Sequence, residues 1–114
     1  MVNVGDSSSG LFSPTPMNFT IRTGSGNDSI SINDSKNTGS IFVIASGGGN
    51  DTLSMGRSFG DLNINLGGGN DFMFLIDHDG TGIARGGGGF DQFSLLETDD
   101  LDLTTDRFED SFLF

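Results

Sequence analysis

Between residues 19 and 96, apolar and polar positions alternate with period two, in short runs broken by glycine-rich turns. The runs FTIRT at 19–23, FVIAS at 42–46, LNINL at 62–66 and GIARG at 82–86 share one register. Read down the register they give the columns Phe19, Phe42, Leu62 and Ile21, Ile44, Ile64, Ala84. A second set gives Ile30, Leu53, Met73, Phe93 and Ile32, Met55, Leu75, Leu95. Successive side chains of a strand point to opposite faces, so period two predicts strands. No segment sustains a helical period. Each strand is too short to bury its apolar face alone, so successive coils must stack and share one thin core.

The turns repeat as strictly as the strands. TGSGNDSIS at 23–31, SGGGNDTLS at 46–54, LGGGNDFMF at 66–74 and GGGGFDQFS at 86–94 superimpose, with Gly second and fourth and Asp sixth. The predicted fold is therefore all-β: a right-handed parallel β-roll or β-solenoid of about five 20-residue coils. Its glycine-aspartate turns fall on one edge only. Residues 17–96 carry the repeats, and 1–16, rich in Ser and Gly with Pro14 and Pro16, read as a flexible N-terminal arm. Residues 97–114 read as a degenerate capping coil. There Asp110 follows Asp91 by 19 residues, Phe112 and Phe114 continue the Phe93 and Leu95 columns, and Leu101 and Leu103 continue Leu62 and Ile64. The turn TTDRFED at 104–110 lacks the glycines. Turns of the other edge (NDSKNTG, GRSFGD, DHDGTG) vary, which predicts a tolerant edge. Asp77-His78-Asp79 in one of them reads as a solvated turn, and Asn27, Asn50 and Asn70 read as ordinary turn residues.

Composition sharpens this picture. The chain has 114 residues, 19 of them glycine, and only 33% hydrophobic, too little for layered helices over a thick core. The formal charge of -11 disfavours nucleic acid and anionic lipid and favours cations. Without cysteine, thiolate sites and disulfides are excluded, and one histidine excludes a poly-histidine zinc site. The longest apolar run, Ile41 to Ala45, is far short of a membrane span, so no membrane insertion is expected. The start, MVNVGDSSSG, lacks the basic and apolar regions of a secretory signal peptide.

Calcium is a hard cation that takes six to eight oxygen ligands. A glycine turn can aim backbone carbonyls inward, because glycine adopts positive φ without steric cost. One turn cannot fill the shell, but two turns one coil apart can, with one Asp carboxylate from each. The candidate ligands are Gly24, Gly26 and Asp28; Gly47, Gly49 and Asp51; Gly67, Gly69 and Asp71; and Gly87, Gly89 and Asp91. Three gaps between them give three calcium sites. Asp91 with Asp110 is a candidate for a fourth, although Asp106 and Phe108 stand there in place of glycine.

These turns resemble the G-G-x-G-x-D-x-U-x nonapeptide of the repeats-in-toxin family, which builds a calcium-bound β-roll. The family's roll has calcium turns on both edges; this chain has them on one. The resemblance implies export by type I secretion, an extracellular or cell-surface location, and an uncleaved C-terminal signal, with which Glu109-Asp110-Ser111-Phe112-Leu113-Phe114 agrees. It also implies folding on calcium outside the cell. The expected function is that of a non-enzymatic, calcium-binding structural protein that assembles into a filament, sheath or surface layer. Its expected partners are calcium and further copies of the chain, met through the solenoid ends, the outward Phe72/Phe74 face and the N-terminal arm. The alternatives are a folding and secretion module of a larger toxin or enzyme, or an ice- or polysaccharide-binding face. The bare third turn positions Ser25, Gly48, Gly68 and Gly88 disfavour ice.

Overall fold

The structure is a computed structural model that describes residues 2–5, 18–33, 41–96 and 101–113. The alternating segments form ten strands: β1 (Val2–Gly5), β2 (Asn18–Arg22), β3 (Ser29–Asn33), β4 (Ile41–Ala45), β5 (Thr52–Phe59), β6 (Asp61–Gly68), β7 (Phe72–Gly88), β8 (Gln92–Leu96), β9 (Leu101–Asp106) and β10 (Asp110–Leu113). All pairings between strands are parallel, and there is no helix among the described residues. One face of the solenoid runs β1-β3-β5-β7-β8-β10, and the other β2-β4-β6-β7-β9. Strand β7 belongs to both, because it bends round the edge opposite the glycine turns without losing its ladder.

Register follows from the apolar columns, since a slip of one residue would turn each buried face outward. Phe19 pairs with Phe42 and Phe42 with Leu62; Ile21, Ile44, Ile64 and Ala84 lie level. On the other face Ile30, Leu53, Met73 and Phe93 align, as do Ile32, Met55, Leu75 and Leu95. These columns meet as a single core in which Ile32, Phe42, Leu53, Met55, Ile64, Met73 and Leu75 are fully buried. Each such side chain contributes roughly 1.5–3 kcal/mol. Rings also stack coil on coil, with Phe19 on Phe42 at 5.0 Å and 7° between planes.

At both ends the structure departs from the repeat pattern. The solenoid has about four turns where five coils are expected. The last turn closes differently because it lacks the glycines that fix the coil length. The tail register therefore shifts. Leu103, not Leu101, enters the Leu62 column, and Thr105 takes the Ile64 column. Ser111 and Leu113 lie level with Phe93 and Leu95, so Phe112 is one place off its expected column. Phe114 lies outside the described residues, as do 6–17 of the N-terminal segment. Val2–Gly5 add a strand to β3 that the pattern does not announce, with Val2 and Val4 extending the Ile30 and Ile32 columns.

The edge opposite the glycine turns is not freely tolerant. Arg57 and Asp77 take the left-handed region, at φ 48 and 52. Gly60 and Gly80 follow at φ 138 and 146, and a Cβ on Gly80 would collide with the Gly60 carbonyl oxygen. His78 is not solvated. It is fully buried, with Nε2 3.1 Å from the Gly60 carbonyl oxygen and its ring edge-on to Phe42. The extra corner residue, Asp77, breaks the alternation after Leu75 and turns His78 inward.

Candidate metal centre

The glycine turns stack so closely that their spacing dictates their residues. The second and fourth turn glycines of all four repeats have φ between 99 and 128°, where a side chain is strained. From the second coil onward there is also no room. A Cβ on Gly47, Gly67 or Gly87 would fall on the carbonyl oxygen of Gly24, Gly47 or Gly67, one coil before. Gly49, Gly69 and Gly89 meet the carbonyls of Gly26, Gly49 and Gly69 in the same way. Two rows of carbonyl oxygens therefore run up this edge. The third turn positions differ. Gly48, Gly68 and Gly88 face open space, so Ser25 at the equivalent place fits the same geometry.

Beside the carbonyl rows runs a row of carboxylates. The Asp28 N–H donates to Asp51 Oδ1 at 2.8 Å, Asp51 N–H to Asp71 Oδ1 at 2.8 Å, and Asp71 N–H to Asp91 Oδ1 at 2.9 Å. Each Asp thereby locks the turn before it. The second oxygen of each carboxylate is left without a partner: Oδ2 of Asp28, Asp51, Asp71 and Asp91 are all buried and accept no hydrogen bond. Asp51 and Asp71 are each 2% exposed and Asp91 is 0% exposed. A buried charge with no compensation is costly, and four in a row demand an explanation.

The strain shows in the acidities. Burial pushes the Asp71 carboxyl up from 3.8 to about 6; the Asp51 amide pulls the other way, and the Asp91 and Asp51 charges add to the rise. Burial also raises Asp91, against the Asp71 amide and with help from Glu109. Protons or cations would each relieve such a row.

A cation bound here would meet few side chains. Among the described residues no three His, Asp or Glu side chains converge on one point. Each gap offers two carboxylates, from Asp28 and Asp51, Asp51 and Asp71, or Asp71 and Asp91. The rest of an oxygen shell must come from the carbonyl rows and from water. Several of these carbonyls already accept amides, as Gly24 accepts from Gly48 at 2.9 Å and Gly47 from Gly68 at 2.8 Å. A carbonyl oxygen has a second lone pair. The donor set is all oxygen and anionic, which suits a hard divalent cation such as calcium and not a soft metal.

Three further features of this edge escape the repeat pattern. Asn27, Asn50 and Asn70 are not independent turn residues. Oδ1 of each accepts the backbone N–H of the next coil, from Asn50 at 2.7 Å, Asn70 at 2.8 Å and Phe90 at 2.9 Å. Their recurrence one place before Asp is the signal that could have shown it. Ser46, fully buried, donates to the Leu66 carbonyl at 2.7 Å, as Thr23 donates to that of Ser46 at 2.9 Å. Finally, Glu109 Oε2 accepts the Asp91 N–H at 2.7 Å, the place expected for Asp110. The Asp110 side chain lies outside the described residues. The Phe72 and Phe74 side chains, expected on an open face, are half-buried, and the exposed large apolar residues among those described are Ile41, Ile83 and Phe90.

Comparison with protein families, with curated proteins and with solved structures finds no match for this chain.

Proposed function

We propose that this chain is a calcium-binding β-solenoid, of the repeats-in-toxin kind, whose folding is completed by the ions it binds. One observation carries the reading: four buried carboxylate oxygens without partners, in the same turns whose carbonyls stack in rows. Asp28, Asp51, Asp71 and Asp91 would hold calcium in the three gaps, with carbonyl oxygens of Gly24, Gly26, Gly47, Gly49, Gly67, Gly69, Gly87 and Gly89 as the backbone donors. Calcium would supply the positive charge that the buried row lacks. Asp51 and Asp71 each serve the gap on either side, and every gap takes a carboxylate from both its coils, so binding and coil stacking are a single event. Without ions, three closely spaced anionic gaps oppose stacking, and the binding free energy becomes folding free energy.

The role beyond binding that we propose is structural and extracellular: assembly of copies into a filament, sheath or surface layer. The exposed Ile41, Ile83 and Phe90 support it, as do the end strands β1, β2, β9 and β10, which pair on one side only among the described residues. A calcium titration followed by far-UV circular dichroism tests the binding reading, with β-signal expected to rise at millimolar calcium and not with magnesium alone. No calcium-dependent change, together with no bound calcium by equilibrium dialysis, refutes it. Assembly is tested separately by light scattering at high concentration and by electron microscopy; a monomer under both sinks that part alone.

A further inference from the structure

The carboxylate row does not end at Asp91. Asp28, Asp51 and Asp71 each donate N–H to a carboxylate one coil on, and Asp91 does the same, but to Glu109. The Glu109 N–H returns a bond to the Asp91 carbonyl at 2.9 Å. The step from Asp91 to Glu109 is 18 residues, against 20 in the two coils before it. The extra methylene of Glu lets a shorter coil present its carboxylate at the same level.

The floor of this last gap is also altered. The first turn place is Thr23, Ser46 and Leu66 in the earlier repeats and Gly86 in the fourth. A Cβ on Gly86 would collide with the Arg107 carbonyl oxygen and come within 2.6 Å of Asp91 Oδ2. Both oxygens thus share one small space that a bare Cα leaves open. Arg107, at φ 58, is in the left-handed region at this corner. Asp91 is 0% exposed, and its Oδ2 accepts no hydrogen bond, so an unpartnered buried oxygen faces the space.

We propose that the Asp91 and Glu109 carboxylates and the Arg107 carbonyl form a fourth calcium site, which closes the stack at its C-terminal end. It rests on the reading of the three preceding gaps as calcium sites. Its chemistry is the same hard-oxygen set, built without a glycine-aspartate turn on its upper side. Glu109 is exposed, so water completes more of this shell, and the fourth ion is the most weakly held.

The test is a count of calcium per full-length chain by equilibrium dialysis with elemental analysis, with circular dichroism confirming the fold of each variant. The wild type is expected to bind four ions. Glu109→Gln keeps an acceptor for the Asp91 N–H but loses the charge, and is expected to bind three. Gly86→Ala fills the space and is also expected to bind three, whereas Asp110→Asn is expected to bind four. Three ions on the wild type, four on Glu109→Gln, or three on Asp110→Asn overturns the fourth site and leaves the other three standing. A wild-type chain that binds none overturns both readings.

Discussion

The two edges of the solenoid solve one steric problem and differ in what they bury. On both, coils stack too tightly for side chains at certain corners. Gly67 lies against the Gly47 carbonyl on one edge, and Gly80 against the Gly60 carbonyl on the other. Glycine spacing by itself therefore marks a corner and says nothing of function. What separates the edges is the polar group placed beside the glycine. The glycine-aspartate edge buries carboxylates with one oxygen unpartnered, while the opposite edge buries His78 against a carbonyl of the neighbouring coil. The first leaves buried carboxylate oxygens that the described residues do not partner. The second is closed by the chain itself.

The sharpest way to break this comparison is to fill a glycine corner. Gly69→Ala places a methyl on the Gly49 carbonyl at φ 128, and should cost about 3 kcal/mol or more. The calcium midpoint in circular dichroism should rise at least tenfold; an unchanged midpoint would show that the coils part without penalty.

The next largest effect is on pH, where the edges should pull in opposite directions. Asp71 has a folded acidity near 6 against 3.8 unfolded, so its destabilisation of the calcium-free fold is full above pH 6 and disappears as pH falls toward 4. The span is roughly 3 kcal/mol. The calcium-free chain should accordingly gain β-signal between pH 7 and 5. Burial lowers the pKa of His78, with the Gly60 carbonyl and Asp79 opposing that shift; its contribution is present above pH 6.5 and lost as pH falls below it. Asp71→Asn should remove the acid gain, and His78→Leu should enlarge it. A calcium-free chain whose β-signal is flat from pH 7 to 5 in all three proteins would contradict both assignments.

His78→Leu also tests the closed edge by itself. It removes the bond to Gly60 while keeping bulk, so a loss of about 1 kcal/mol is expected in urea unfolding at saturating calcium. The number of ions bound should not change; loss of an ion would mean that the two edges are coupled. The smallest effect is expected at Gly68→Ser, which faces open space and copies Ser25. A shift beyond about 0.5 kcal/mol in the same assay would show that this place is constrained after all.

Most of the coil interior is legible in sequence, because burial and strand periodicity are local and repeat. The Phe42, Ile44, Leu53 and Met55 columns need only counting by two. The glycine-aspartate turns are legible for the same reason. What escapes is whatever depends on a single corner. His78 is turned inward by the positive φ of Asp77, which no periodicity announces. Glu109 replaces an aspartate because its coil is shorter, and only the register of the folded chain shows that a longer arm meets the same amide. Strand β1 has no glycine-aspartate repeat next to it in the sequence, and four residues of alternating pattern are too few to stand out. The Asn27, Asn50, Asn70 row was visible as a recurrence but not as a hydrogen-bond ladder, since its partners sit a full coil away.

The two side-chain ladders of the glycine edge point opposite ways along the stack. Asparagine oxygens receive amides from the coil that follows, whereas aspartate oxygens receive amides from the coil that precedes. The consequence is that each coil is tied to the next in both directions at once. A chain emerging from its N-terminus sets both bonds when the next coil arrives, since Asn50 and Asp51 reach Asn27 and Asp28 together. The turn at Asp91 is the last of the row to be met, by Glu109, 18 residues further on. Removing the Glu109 carboxylate would leave the last amide of the row unmet, so one side chain outside the repeat completes the lock of the whole edge.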